Sequence, residues 1–197
     1  MPRKADRHLE GRIVDAAYQL WSKGGEHALT MRAVARAAGT TTPTLYERFR
    51  DKHELIMFMR VRARERMFAA LQPAKSTAEA CRLGLEFTLT NGNEYLLLTS
   101  DWTERLARKE RMPSYELLQE KLADDLGGVA AEYERLAMGL VAQVHGTALL
   151  LLGEEVEAGI AAQFKNACLE ACQVLIECGG RKVAKRTSTG AATKRGR

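Results

Sequence analysis

Apolar residues recur at helical spacing along nearly the whole chain. Between Arg7 and Lys23, Ile13, Ala16, Ala17, Leu20 and Trp21 fall on one face of a helix, which Gly24-Gly25 ends. Thr30 is placed to cap a second helix with Met31, Val34, Ala35 and Ala38 inward, and Gly39 closes it. The threonines 40–42 cap a third, Pro43 fits its first turn, and Leu45 and Phe49 face inward. Asp51 caps a fourth helix running from Lys52 to about Leu71, before Pro73. Five more are expected at roughly Thr77 to Thr90, Glu94 to Arg111, Ser114 to Leu126, Val129 to Leu152 and Val156 to Cys178. No useful strand-period segment and no internal repeat interrupts the series. The expected fold class is all-α, with about nine helices.

Composition adds little to the class but sharpens the setting. The 197 residues suit one domain or two closely packed ones, and 46% apolar content with 6% aromatics and 4 prolines favours helix. The polar start, Met1 to Gly11, has no apolar run of the secretory kind, so a cytoplasmic protein is expected. Leu136 to Leu152 is the most apolar stretch, but Gln143, His145, Thr147 and two glycines interrupt it. It falls short of the ~20 residues a membrane span needs, so it is read as a buried helix with no membrane partner. Cys81, Cys168, Cys172 and Cys178 are too few and irregular for a disulfide framework. Cys168 and Cys172 share a helix face without a third ligand at a telling spacing, so they read as core thiols, and neither metal nor cofactor is expected.

Charge divides unevenly. Met1 to Ile56 carries +3, Met57 to Cys178 carries −5, and Gly179 to Arg197, with seven basic residues and no acid, carries +7. A polyanion is therefore drawn to the two ends. Arg3, Lys4, Arg7 and Arg12 form a basic arm able to follow a DNA backbone, and the basic tail, lacking apolar residues to bury, is expected to be disordered.

Two short helices joined through Gly39, the second opening on small polar residues, have helix-turn-helix spacing. Over Glu10 to Ile56, the residues Ala16-Ala17, Leu20-Trp21, Gly24, Leu29-Thr30, Val34-Ala35, Ala38-Gly39, Pro43-Thr44-Leu45-Tyr46, Phe49, Lys52 and Leu55 resemble the TetR family pattern. The resemblance implies a homeodomain-like, DNA-binding head over 1–51, a helical dimerisation and effector domain over 52–178, and a disordered tail over 179–197. It places Thr30 and Arg32 at the DNA-contacting start of the second helix. Thr41, Thr42, Pro43 and Thr44 stand at the base-reading start of the third, where methyl groups meet thymine. Tyr46 and Lys52 match phosphate-binding positions, and Arg48 a variable contact slot. Glu47 either reads a cytosine or pairs with Arg50 or Lys52 in solvent.

In the body, Leu136 to Leu152 is apolar nearly all round and needs a packing partner on two sides. Gly139, Ala142 and Gly146 on it, with Phe164, Cys168, Ala171 and Leu175 on the last helix, are expected to form a homodimer interface. The resemblance also implies a small-molecule effector pocket, for which Phe58, Phe87, Tyr95, Trp102 and Tyr115 are candidates, and Arg60, Arg62, Arg64 and Arg66 lie on the connecting helix. No phosphate-cradling glycine loop, metal cluster or nucleophile elbow points to catalysis, so no catalytic residue is named. The expected function is a ligand-responsive repressor binding double-stranded DNA at a near-palindrome. The alternative is an architectural or adaptor protein coating DNA through its basic ends.

Overall fold

The computed structural model describes residues 7–153 and 156–192. Among them lie ten α-helices and one 3-10 turn, and no strand. The helices are α1 (Arg7–Ala28), α2 (Met31–Ala37), α3 (Thr42–Tyr46), α4 (Lys52–Leu71), α5 (Thr77–Thr90), α6 (Gly92–Thr99), α7 (Trp102–Ala107), α8 (Pro113–Leu126), α9 (Glu134–Leu152) and α10 (Ala158–Ala192), with the 3-10 turn at Ala130–Tyr133.

The chain forms two compact units. The first holds the residues up to Glu65 together with Asn93–Thr103. Its core is built from Ile13, Ala17, Leu29, Val34, Leu45, Leu55 and Met59, all fully buried, and Leu97 joins them from α6. Helical geometry in α1 breaks at Gly24 and at Gly25, whose φ of 59° a side chain would resist. Between α2 and α3, Gly39 (φ 64°) occupies the left-handed position of a Schellman turn, with Gly39 N–H donating to the Arg36 carbonyl and Thr40 N–H to that of Ala35. Tyr18 ties α1 to α4 through its hydroxyl, which donates to the Met59 carbonyl at 2.6 Å.

The expected helix from Glu94 to Arg111 is instead two, α6 and α7. The cause is local: the Thr99 hydroxyl donates to the Tyr95 carbonyl (2.9 Å) and the Ser100 hydroxyl to that of Leu97 (2.7 Å), satisfying the last-turn acceptors from the side. After α7, Lys109 takes the left-handed conformation (φ 55°) and closes the turn, Glu110 N–H donating to the Arg105 carbonyl.

The second unit holds Arg66–Gly92 and the residues from Glu104 onward. Here α9 packs on α5 and α10, and α8 on the 3-10 turn. The Ser76 hydroxyl caps α5 by accepting from Glu79 N–H (3.2 Å), while the Glu79 carboxylate accepts from Lys75 N–H (2.7 Å). The whole stretch Ala130–Leu152 is long and apolar enough to cross a membrane by length and composition alone, so the length argument against a span does not hold. Nor is α9 buried all round. Ala137, Leu140, Val144, Thr147 and Ala148 face inward, while Leu149 and Leu150 are 44% and 61% exposed.

Three cysteines meet inside this unit: Cys81 of α5 with Cys168 and Cys172 of α10, all buried and reduced. Burial raises the Cys168 thiol pKa, and hydrogen bonding to Cys81 followed by burial raises that of Cys172, which suits packed core thiols. The helix carrying them continues to Ala192, past Gly179, where the sequence reading ends ordered structure. Gly179 is itself a close approach of α10 to α9, since a Cβ there would collide with the Leu136 side chain. Residues 193–197 of the tail, and Arg3 and Lys4 of the basic arm, lie outside the described residues.

Tyr115 links α8 to α9 by donating its hydroxyl to the Glu134 carbonyl at 2.8 Å, and burial, then Glu134, push its pKa up to about 12. Because the folded state favours the neutral phenol, the unfolded chain loses this proton first. Stability from this group is therefore present below pH 10 and declines as pH rises from 10 towards 12. In a spectrophotometric titration the wild type should show one phenol ionising near pH 12 that Tyr115→Phe lacks, and the variant should be about 1 kcal/mol less stable at neutral pH.

Candidate nucleic-acid interface

The five residues of α3 are held from both ends and from beneath. At its start the Thr41 hydroxyl accepts from Thr44 N–H (3.3 Å) and lies 2.9 Å from the Thr44 hydroxyl. Beneath, Leu45 is fully buried and Phe49 nearly so, the latter meeting Phe58 edge-on with centroids 5.4 Å apart. This leaves Thr41, Pro43 and Tyr46 exposed, with Thr42 and Thr44 half-buried beside them, and Tyr46 is 50% exposed. The small-residue face is apolar methyl and methylene next to hydroxyls, a surface able to meet base edges without a long side chain in the way.

The flanking elements bring further groups. Thr30 caps α2, its hydroxyl accepting from Ala33 N–H at 3.2 Å, and Arg32 projects exposed two residues on, within the first turn. Among the described residues neither the Arg32 nor the Arg48 side chain makes a hydrogen bond or ion pair within the chain, so both guanidiniums are open to solvent anions. Lys52 differs. Its ammonium donates to the Glu26 carbonyl at 2.7 Å and lies 3.4 Å from the Glu26 carboxylate, clamping the α1–α2 turn to α4. Asp51 caps α4, accepting from Glu54 N–H (2.8 Å), while the Glu54 carboxylate reaches back to accept from Arg50 N–H (2.6 Å) just before the helix start. The Glu54 N–H, with Arg50 adding to it, holds the Asp51 carboxyl below its usual range. Since Arg50 pairs with Asp51 and Lys52 with Glu26, neither turns to Glu47, whose side chain is exposed. Arg12 lies within α1 rather than in a free arm, its guanidinium Nε donating to the Ala38 carbonyl at 3.4 Å.

Residues 13–57 match the pattern described as bacterial regulatory proteins, tetR family. These residues resemble the TetR-type DNA-binding head. Over 105 residues it is 32% identical to the HTH-type transcriptional repressor KstR of Mycolicibacterium smegmatis, a match that covers 53% of this chain and 52% of that protein. The chain thus spans about half the length of the curated relative it matches. A TetR-like transcriptional regulator from Rhodococcus sp. RHA1 shares the fold, with TM-score 0.61 at 24% identity over 93% of this chain and 98% of that one. So does the multidrug binding protein EbrR, solved with imidazole, with TM-score 0.54 at 22% identity over 89% and 93%.

The matched TetR-type pattern covers α2, α3 and the start of α4, and so every expected DNA contact of these helices but not the basic arm before residue 13. The structure gathers Thr41 to Tyr46 on one short helix and sets Thr30 and Arg32 at the start of another. The clamp between Lys52 and Glu26 was not foreseen, because nothing local links residues so far apart.

The five aromatic residues considered for an effector pocket are divided. Phe58, Tyr95 and Trp102 fall in the first unit, Phe87 and Tyr115 in the second. Phe58 packs on Phe49 with the Arg62 guanidinium 5.8 Å from its ring, Tyr95 and Phe87 are buried, and Tyr115 bonds α9. Of the residues expected at a dimer interface, Cys168 is 1% exposed and faces inward, its thiol 3.7 Å from the Gln143 carbonyl. On α10, Cys168, Cys172 and Ile176 face inward, whereas Phe164 and Leu175 are 42% and 36% exposed. A Cβ at Gly139 or Gly146 would meet nothing within 4 Å, and Ala142 is exposed.

Replacing Thr41 by Ala should remove the α3 cap and cost about 1 kcal/mol in urea denaturation, whereas Thr41→Ser should keep most of it. Equal losses for both would show that the hydroxyl does not hold the helix.

Proposed function

We propose that the chain is a sequence-specific, DNA-binding transcriptional repressor that acts as a homodimer and responds to a small molecule. The observation that carries the DNA reading is the outward face of α3, where buried Leu45 and Phe49 leave Thr42, Pro43, Thr44 and Tyr46 to solvent. A helix presented in this way by a helix-turn-helix enters the major groove with its first turn on the base edges. Thr44 and Thr42 read thymine methyls, while Tyr46, Arg48, Thr30 and Arg32 hold phosphates. Lys52 joins them by exchanging the Glu26 carboxylate for a phosphate oxygen. The repressor description of KstR supports the same direction of control.

Dimerisation uses the outer faces of α9 and α10. Leu150, Ile160, Phe164 and Val174 are 61%, 45%, 42% and 58% exposed, and the open positions beside Gly139 and Gly146 admit a closely packed helix. A two-fold dimer supplies two readers for two half-sites. Ligand response follows from differential affinity: an effector releases DNA only by binding the conformer with wrongly spaced readers more tightly. The description of EbrR as a multidrug binding protein supports an effector of small-molecule class. Such a regulator works in the cytoplasm, on DNA, and carries out no catalysis.

Fluorescence anisotropy of DNA from upstream of its own gene, against a scrambled duplex and over a salt series, tests this directly. Tight binding of two protomers to the native fragment is expected. Tyr46→Ala and Lys52→Ala should weaken it on all sequences, and Thr44→Ala should change preference at one half-site position by about 1–3 kcal/mol. Leu150→Glu should give a monomer that loses tight binding. Affinity that ignores sequence and vanishes without residues 181–197 would replace the repressor by a protein that coats DNA through charge alone.

A further inference from the structure

Within the first unit, two guanidiniums share one carboxylate. Arg60 and Arg64 lie one turn apart on α4, and both reach Asp101, just past the end of α6. Arg64 Nη2 donates to both Asp101 oxygens, at 2.8 and 2.6 Å. Arg60 Nη1 is 4.0 Å from the same carboxylate and 3.6 Å from the Met57 sulfur, and its Nη2 donates to the Ser100 hydroxyl at 3.0 Å. The three charged side chains are only 15–21% exposed. Within this group one positive charge is left over. In addition, the Nε–H of each arginine is buried and meets no acceptor among the described residues.

A pair of guanidiniums serving only to fasten α6 to α4 has no use for that surplus. One arginine suffices for one aspartate, and a buried N–H without an acceptor is a cost that folded chains ordinarily avoid. Guanidinium groups bind oxyanions best through two parallel N–H donors, and here Arg64 spends one nitrogen on both aspartate oxygens while its neighbouring Nε is left over. We propose that Arg60, Arg64 and the Ser100 hydroxyl form the acceptor for the oxyanion of an acidic effector, a carboxylate or a phosphate monoester, for which Asp101 is the internal stand-in. The incoming anion takes the Nε–H donors and competes with Asp101 for the remaining ones. Because Asp101 sits at the junction of α6 and α7, its displacement loosens that junction from α4. The inference names the chemistry of the proposed small-molecule effector and rests on that reading for its biological meaning.

The full chain is titrated without DNA against three tail-matched probes, octanoate, octyl phosphate and 1-octanol, with tryptophan fluorescence and thermal melting as readouts. The anions should bind at least about tenfold more tightly than the alcohol, the factor expected of one charge-assisted hydrogen bond. The stronger of the two anions identifies the headgroup. Arg60→Gln with Arg64→Gln should erase the difference. Asp101→Asn, which removes the competitor and keeps the shape, should strengthen anion binding several-fold, an effect that a misfolded variant does not produce. Equal binding of octanoate and octanol, no binding of either anion, or unchanged affinity in Asp101→Asn would overturn the site. Anion binding that leaves DNA affinity unchanged supports the site and removes the ligand-responsive reading instead, so the two fail separately.

Discussion

The burial of Leu45 decides which face α3 shows, and the reading of this protein depends on that face. A helix of five residues has too few internal hydrogen bonds to outlast the entropy of its own nucleation. It exists because Leu45 is fully buried among Ile13, Leu29, Val34, Leu55 and Met59, and because Thr41 caps it before its own ladder begins. Gly39 fixes the direction of approach, since only a residue without Cβ accepts φ 64° at no steric cost. The polar residues of α3 do not have to hold it in place and are free to serve as a surface.

What was legible in the sequence is what short-range chemistry determines. Thr30, Thr41, Asp51 with Glu54, and Gly39 each act within five residues along the chain, and each sets a helix end in the first unit. Longer reach was not legible. Asn93–Thr103 reads as body by position and packs as head, because Leu97 finds its neighbours among residues far earlier in the chain. Periodicity also cannot see hydroxyls turning back on the helix, as Thr99 and Ser100 do in ending α6. The meeting of Cys81 with Cys168 and Cys172 is of the same kind, a tertiary fact that spacing does not carry.

The last two helices show a different limit. An apolar stripe on a helix announces burial without saying against what, and on α10 two stripes lie side by side. Cys168, Cys172 and Ile176 are taken up by the chain itself, whereas Phe164, Val174 and Leu175 are left outside. The same holds on α9, where Ala137, Leu140 and Val144 turn inward and Leu149 and Leu150 outward. The exposed half is the face through which the proposed dimer associates. Gly139 and Gly146 lie open on the same helix, with nothing within 4 Å of a Cβ added at either, and Ala142 is exposed beside them.

Charge around the reader is organised by prior engagement rather than by number. Arg50 is paired with Asp51 and Lys52 with Glu26, so a polyanion gains from them only by displacing a partner that is already in place. Arg32 and Arg48 need no such exchange. On the proposed docking, first electrostatic contact falls to these two, and it carries no sequence information. The Lys52 exchange follows only when phosphate is close enough to compete with a carboxylate 3.4 Å away and a carbonyl at 2.7 Å. In that proposed exchange Glu26, in the last turn of α1, is freed, and its negative charge disfavours a DNA position that brings phosphate there without Lys52 bound. On the proposed docking the clamp makes phosphate contact at α4 conditional on register, which gives the Lys52–Glu26 pair a part in selectivity beside α3.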